Sequence, residues 1–372
     1  MSLPRAFEER KVKTYLTVGL SLLIMLGQPG WAADAAKDPS DAEFAKGDKL
    51  MGSANPAQMK QAVSYFAELT RKYPDSAKVH TRYGAALAAE AGMKDKKSAA
   101  DEYETAVLEE RTACKLDPTY ASPLCIIGQI FANQGKYEEA VAEFKKAEAL
   151  KPNMYKAHED LGVAYLDMDR LADSEREFET CKRLHPEELL PHLNLGILLN
   201  KKGDLRGAIA EEEEALRINP KSWKALLNLG NFYLDSGDYD NAKDRFQKAL
   251  SLAPGEPNSL SGLGWAMYKK GFKKEGLKHQ EEAIRNFPPF VPAHTRRAVI
   301  LADQGDKKGA EAEFQNAIKL NQKDLTAGLE YGHFLEVNGR KEDAKAQYKR
   351  LLEITKDYAP AKKALAELEQ TK

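Results

Sequence analysis

The stretch WKALLNLGNFYLDSGDYDNAKDRFQKALSLAP, residues 223–254, contains two amphipathic helical patterns joined by a tight turn at Gly237. In each pattern, apolar residues recur at the spacing that places them on one face of a helix. Pro254 ends the second pattern because proline cannot continue a helix. Gly230 is predicted to face Ala242 at the helix crossing, since a larger side chain would hold the two backbones apart. The stretch therefore predicts a helical hairpin.

This hairpin recurs along the chain with a period of 34 residues. The residues in register include the prolines Pro118, Pro152, Pro186, Pro220, Pro254 and Pro288, and the glycines Gly128, Gly162, Gly196, Gly230 and Gly264. The pattern resembles the tetratricopeptide repeat (TPR), whose W-x2-L-G-x2-Y, A-x3-F, A and P signature has the same length. The resemblance covers residues 77 to 358. It implies an all-α fold, a right-handed α-solenoid of about nine helix pairs with a C-terminal capping helix.

The same frame divides the chain into nine repeats. They span 42–76 (degenerate), 77–120 (with an insertion) and, without gaps, 121–358, and they are followed by the predicted capping helix at 359–372. In the second repeat, 22 residues separate Gly84 from Ala106 where later repeats place 12. We interpret these extra residues as a tolerated surface insertion, and the alternative is a loop that contacts a partner.

The first 35 residues lie outside the repeat frame and have the pattern of a signal peptide. Basic residues precede an apolar run from Tyr15 to Leu26, and small residues at Ala32 and Ala35 suit a cleavage site. The run is shorter than the about 20 residues that a membrane span needs, so an uncleaved anchor is the weaker interpretation. Residues 36–41 form a short polar linker. We expect an exported TPR protein of the bacterial type, periplasmic or secreted, without a membrane span in its mature form.

The charge balance and the motifs exclude some classes of function. The 56 basic residues are offset by 57 acidic ones, which gives a formal net charge of -1. A protein that binds nucleic acid needs a basic face, so no nucleic-acid partner is predicted. The sequence also contains no Gly-rich phosphate loop and no G-x-S-x-G, H-E-x-x-H or C-x-x-C motif. We therefore predict neither an enzyme nor a cofactor.

Histidines and cysteines are the remaining candidates for chemistry. Four histidines share the fourth position of their repeats, where TPR proteins commonly carry a packing residue. They are His80, His158, His192 and His294. Adjacent repeats stack about 10 Å apart, too far for two of these rings to share one metal ion, and no metal site is predicted. Cys114 and Cys125 flank one turn and are candidates for a disulfide if their α-carbons lie within about 7 Å.

Two repeats depart from the family pattern at the aromatic position of the second helix. Glu212 occupies this position in repeat five and Gln280 in repeat seven. We expect looser packing at both places. Glu212 must extend to solvent or pair with another group, because an unpaired buried charge is costly.

The first helices of TPR proteins line a concave groove, which positions 2, 5, 6, 9, 12 and 13 of each repeat commonly face. In repeats five to seven, these positions combine apolar side chains with amides, a chemistry that suits an extended peptide backbone. The predicted groove residues are Leu190, Leu193, Asn194, Ile197, Leu227, Asn228, Asn231, Leu234, Trp265 and Tyr268. Asn194 and Asn228 resemble two rungs of the asparagine ladder of O-linked N-acetylglucosamine transferases. Position 5 holds no lysine in the repeats, so the carboxylate clamp of chaperone-binding TPR proteins is not present.

These features predict a non-catalytic protein-protein interaction scaffold that binds an extended peptide segment in the concave groove. The alternative is a scaffold for an envelope complex, acting through the convex face or the ends. A third interpretation is that the groove leucines pack only against neighbouring repeats. The expected partner is a protein or a peptide.

Overall fold

The computed structural model describes residues 38–52, 55–94 and 98–370, so the predicted signal peptide lies outside it. The described residues form nineteen α-helices and no strand, which confirms the predicted all-α repeat fold. None of these helices combines the length and the apolar character that a membrane span requires. The chain divides into two compact units, one ending at Leu198 and the other beginning at Leu199.

In the N-terminal unit, odd-numbered helices are the first helices of repeats and even-numbered helices are the second. The helices are α1 (Asp41–Met51), α2 (Pro56–Lys72), α3 (Ala77–Gly92), α4 (Ala100–Leu116), α5 (Ser122–Asn133), α6 (Tyr137–Leu150), α7 (Tyr155–Asp167), α8 (Leu171–Leu184) and α9 (Leu189–Lys202), whose last residues belong to the C-terminal unit. α1 begins one residue inside the predicted linker, where Ser40 forms a capping box with Glu43. The second repeat has longer helices than the third, with 16 residues in α3 and 17 in α4 against 12 in α5 and 14 in α6.

The C-terminal unit continues the same alternation. Its helices are α10 (Leu205–Ile218), α11 (Trp223–Ser236), α12 (Tyr239–Leu252), α13 (Pro257–Lys269), α14 (Lys273–Asn286), α15 (Val291–Asp303), α16 (Lys307–Leu320), α17 (Leu325–Val337), α18 (Lys341–Ile354) and α19 (Ala359–Gln370). α19 occupies the place of the predicted capping helix. It buries Ala361, Ala364 and Leu368 in one hydrophobic cluster with Tyr348 and Leu351 of the last repeat.

Within each unit, the first helices of successive repeats contact one another. This holds for α3, α5 and α7 in the N-terminal unit and for α11, α13, α15 and α17 in the C-terminal unit. From α1 to α8 and from α11 to α18, each second helix packs against the first helix of its own repeat. Within α1 to α8 and within α10 to α19, each second helix also packs against the first helix that follows it. The first helices of the C-terminal unit therefore form a continuous layer, and we call the exposed side of α11, α13, α15 and α17 the first-helix surface.

Local signals at residues 222–241 explain why this stretch forms a hairpin. The hydroxyl of Ser222 accepts a hydrogen bond from the backbone N–H of Ala225 and caps α11. Gly237 ends that helix in the left-handed conformation, with φ of 78°, which glycine adopts without steric cost. The carboxylate of Asp238 then accepts a hydrogen bond from the N–H of Asn241 and starts α12.

The repeated glycine of the first helix makes room for an aromatic ring of the second helix. A Cβ atom on Gly230 would lie 2.6 Å from Cε1 of Phe246, and Gly162 faces the ring of Phe178 in the same way. The prediction that Gly230 faces Ala242 did not include this ring. Ala242 is fully buried. The Phe246 ring excludes a larger side chain at Gly230.

Candidate binding surface of the first helices

The ten predicted groove residues lie on three first helices and in two units. The four on α9 belong to the N-terminal unit, and the six on α11 and α13 belong to the C-terminal unit. On α9, Leu193 is a core residue with 4% exposure, whereas Ile197 is 42% exposed. Leu190 and Asn194 are half-buried on the same helix. The candidate surface is therefore built from the C-terminal unit alone.

The α11 side chains of the candidate surface are partly buried in the core and partly exposed. Leu227 and Leu234 are partly buried against a cluster that includes Phe246 and Leu263. This agrees in part with the interpretation that the groove leucines pack against neighbouring repeats. Asn231 lies between them on the helix and is also half-buried. The leucines and the amide remain accessible enough to contact a ligand, but they are not an open apolar strip.

Asn228 has an intramolecular role that differs from the predicted one. Its Nδ2 donates a hydrogen bond of 2.7 Å to Oε1 of Glu212, a fully buried side chain of α10. Burial raises the pKa of Glu212 well above its usual range, while the hydrogen bond from Asn228 opposes this shift. Glu212 thus pairs inside the core, which is one of the two outcomes that the sequence predicts. The Asn228 amide therefore holds this carboxyl group.

Trp265 and Tyr268 form an aromatic pair on α13. They lie three residues apart, on one face of the helix, and their ring centroids are 5.0 Å apart. Both side chains are half-buried. The ammonium nitrogen of Lys269 lies 4.8 Å from the centroid of the Trp265 ring and 5.8 Å from that of Tyr268. The pair thus combines apolar area with a positive charge, as protein interfaces often do.

A hydrogen-bond network fixes a second cation beside Trp265. Ser261 donates to Oε1 of Gln280 at 2.7 Å, and Nε2 of Gln280 donates back to the Ser261 carbonyl at 2.9 Å. Nη1 of Arg296 donates to the Ser261 hydroxyl at 2.9 Å. The guanidinium carbon of Arg296 lies 5.8 Å from the centroid of the Trp265 ring. Gln280 is fully buried, so the expected looser packing is instead a satisfied polar contact.

Sequence reasoning missed the roles of Ser261, Gln280 and Arg296, and it also missed a third polar core residue. Glu110 occupies the aromatic position of the second repeat, one period of 34 residues before Phe144, and is fully buried. Burial raises the pKa of Glu110 well above its usual range. The 34-residue register alone would have identified Glu110 as a polar residue at this buried position.

Of the four histidines at the fourth position of their repeats, three make polar contacts through both ring nitrogens, an arrangement that we call a clamp. In His158, Nδ1 lies 2.8 Å from Oε2 of Glu177, and Nε2 lies 2.8 Å from the carbonyl oxygen of Pro152. His80 and His294 make the same pair of contacts, each with a glutamate of the following second helix and a proline carbonyl. Because both ring nitrogens face acceptors, only the doubly protonated imidazolium satisfies both.

The surroundings of these rings shift their pKa toward the charged form. The hydrogen bond to Glu177 raises the pKa of His158, and burial opposes it. Glu148 joins His158 and Glu177 in a group whose ligand atoms lie within 4.8 Å of one another, a spacing that a metal ion would accept. Both nitrogens of His158 are already engaged by the clamp, however. The group is therefore better described as a structural clamp.

Cys114 and Cys125, the two candidates for a disulfide, do not form one. Cys114, Cys125 and Cys181 are all free thiols. Cys125 belongs to a hydrophobic cluster of the N-terminal unit, and Cys114 packs against the edge of the same cluster. Both thiols thus act as small apolar side chains, and burial raises the pKa of each.

Comparisons with known proteins agree with the repeat architecture. Models described as TPR repeat or tetratricopeptide repeat match residues 50–76, 128–169, 160–223, 199–257 and 293–359. No curated protein matches the chain in sequence.

Solved structures with this fold include three that cover most of the chain. The human IFIT1 dimer with m7Gppp-AAAA has a TM-score of 0.63 at 16% identity and covers 96% of this chain and 85% of that chain. Yeast Tom70 has a TM-score of 0.59 at 19% identity, with 95% and 73% covered. A tetratricopeptide repeat protein from Parabacteroides merdae has a TM-score of 0.57 at 18% identity, with 67% and 98% covered. At these identities, the likeness shows the fold alone.

Proposed function

Because the chain belongs to the tetratricopeptide repeat family, a family of protein-interaction scaffolds, we propose that its first-helix surface binds an extended peptide segment of a protein partner. The observation that carries this proposal is the half-buried pair of Trp265 and Tyr268 on α13. Large aromatic side chains at the surface are the commonest anchors of protein interfaces. Asn231, one repeat before Trp265, adds an amide that suits a peptide backbone.

A peptide suits this surface better than nucleic acid does. The IFIT1 structure contains m7Gppp-AAAA, but binding of a polyanion depends on an excess of basic groups. In this chain, acidic and basic residues balance at a net charge of -1. The proposed partner is therefore a protein, and the proposed role is binding without catalysis.

The test compares two aromatic residues of the same repeat. Peptides of about ten residues, long enough when extended to cross three first helices about 10 Å apart, are selected from a random library on the wild-type protein. Their affinities are then measured for Trp265→Ala and for Phe287→Ala, which removes an aromatic ring that is 49% exposed beyond the end of α14. We expect Trp265→Ala to weaken binding at least about tenfold and Phe287→Ala to leave it unchanged. The opposite result would favour the alternative, an envelope assembly scaffold that acts through other faces of the molecule.

We also propose that the protein is exported to the periplasm or secreted, on the strength of the residue pattern at 1–35. N-terminal sequencing of the protein from its native cells is expected to begin at Ala33 or Ala36. An intact Met1 on a cytoplasmic protein would contradict this proposal.

A further inference from the structure

Resting on the proposed peptide-binding function, we infer that the bound segment is proline-rich and adopts the polyproline II conformation, with a proline at every third residue. One proline ring packs on Trp265 and Tyr268 of α13, and the prolines before and after it pack on the first helices on either side, α11 and α15. The partner class is thus narrowed from any extended peptide to one whose apolar residues recur with a period of three.

The spacing of the first helices favours a period of three residues. Successive first helices of the C-terminal unit contact one another, and packed helices lie about 8 to 10 Å apart. A polyproline II helix has three residues per turn and rises about 3.1 Å per residue, so it presents the same face about every 9 Å. A β-strand does not match this spacing, because its side chains alternate and one face recurs about every 7 Å. Polyproline II is therefore the extended conformation that offers an equivalent residue to each first helix in turn.

The three first helices carry half-buried apolar side chains at the same two places of their repeats. The residues in register are Asn231 and Leu234 on α11, Trp265 and Tyr268 on α13, and Val299 and Ala302 on α15. A proline ring is a compact and rigid apolar group, and aromatic-lined grooves are its common binding site. The aromatic pair on α13 offers the largest apolar area of the three sites, so it is the main anchor.

Two polar groups of this surface are accessible and unpaired. Within the part of the chain that the structure describes, neither the indole N–H of Trp265 nor the side-chain amide of Asn231 makes a hydrogen bond, and neither group is buried. Both can donate to a peptide carbonyl oxygen. A proline supplies that carbonyl but has no N–H of its own, so it leaves no backbone donor unpaired against the aromatic rings.

The charges around the aromatic pair do not select a charged ligand. Lys269 interacts with both rings and also with Glu330 of α17. Asp303 interacts with the Tyr268 hydroxyl and forms an ion pair of 2.6 Å with Lys273. Groups of both signs therefore surround the pair. An uncharged proline-rich segment suits such a site, because it loses no ionic hydration when it binds.

The experiment compares three pools of peptides of about ten residues, each random except at three positions. Prolines occupy every third position in the first pool, alanines occupy those positions in the second, and the three prolines are adjacent to one another in the third. We expect the wild-type protein to bind the first pool about tenfold more tightly than either of the others, and this preference to persist when salt is added. Equal binding of the first pool and of either control pool would overturn the inference.

Three single substitutions locate the preference for spaced prolines. Trp265→Ala and Tyr268→Ala each remove part of the aromatic pair, and we expect either change to reduce the preference to less than about twofold. Phe287→Ala, which removes an exposed ring beyond the end of α14, is expected to keep it. An unchanged preference in whichever of the Trp265 and Tyr268 variants folds normally by circular dichroism would also overturn the inference.

Peptides selected from an unbiased random library separate this inference from the proposed function on which it rests. If the three pools bind the wild type equally while Trp265→Ala weakens the library-selected peptides at least about tenfold, the preference for proline is refuted and the proposed function stands. If Trp265→Ala binds the library-selected peptides as tightly as the wild type does, both are refuted.

Discussion

The His158 clamp predicts a pH dependence whose sign and size follow from its two contacts. The imidazolium donates to Glu177 and to the Pro152 carbonyl, both at 2.8 Å, and the residue is only 5% exposed. The folded-state pKa of His158 is raised above the unfolded value of about 6.5. Its stabilisation is therefore fully present below that unfolded value and is lost as the pH rises through the folded pKa. Deprotonation leaves one N–H for two acceptors, so one of them loses its hydrogen bond, at a cost of about 1 to 3 kcal/mol.

The assay is amide hydrogen exchange in α7 and α8, corrected for intrinsic rates, at about pH 5.5 and about pH 8.5, on either side of the usual histidine pKa. We expect the wild-type protein to lose about 1 to 3 kcal/mol more local stability over this range than His158→Gln, which has no titrating ring. His279 provides a control of opposite sign. Burial lowers its pKa, so its contribution is lost as the pH falls rather than as it rises. An identical pH dependence in the wild type and in His158→Gln would refute the clamp.

Three further changes test the packing of the repeats. Glu212→Gln is expected to raise the free energy of unfolding at neutral pH by about 1 kcal/mol or more, because the new amide can still accept from Asn228 without the cost of a buried charge. Equal or lower stability of this variant in urea unfolding would contradict the expectation. Gly230→Ala is expected to lower the free energy of unfolding by about 1 to 3 kcal/mol, because its Cβ would lie 2.6 Å from the Phe246 ring. An unchanged urea midpoint would show that the ring moves freely. Deletion of residues 359–370 is expected to raise amide exchange first in α17 and α18, whereas a uniform increase along the C-terminal unit would argue against nearest-neighbour stacking.

The helical repeat could be predicted from the sequence because its determinants are local and recur in register. Pro254 ends a helix wherever it occurs, and Gly237 adopts a left-handed turn without help from the rest of the fold. The close approach at Gly230 was also predictable. The contact with the Phe246 ring was not, because a periodic pattern does not show which side chain fills the space.

The candidate site was predictable only in part. The register placed Trp265 and Tyr268 on one helix face, and the structure brings their rings together. The polar contacts beneath the surface were not predictable, because they depend on which first helix each buried side chain reaches. Glu212 bonds Asn228 of the following repeat, 16 residues on, whereas Gln280 bonds a serine of its own repeat, 19 residues back. These choices depend on side-chain rotamers and tertiary packing, which a periodic pattern does not specify.

The contacts of the clamp histidines could also be predicted only in part. Position four of the repeat identified His158 as a buried residue, and the structure agrees. Its acceptors are a proline carbonyl six residues earlier and a glutamate 19 residues later. Both contacts require the finished hairpin, so the sequence indicated packing where the structure has a charged, hydrogen-bonded ring.

The central claim is that a peptide occupies the first-helix surface at Trp265, and the fluorescence of this residue tests it most directly. The chain has three tryptophans, so replacing Trp31 and Trp223 by Phe leaves Trp265 as the sole indole emitter. Its ring is half-buried in the free protein, and a bound apolar side chain would remove water from it. We predict that saturating peptide shifts the Trp265 emission to shorter wavelength, with a midpoint equal to the dissociation constant measured from labelled peptide. An unchanged emission while the labelled peptide binds would place the peptide elsewhere and contradict the account.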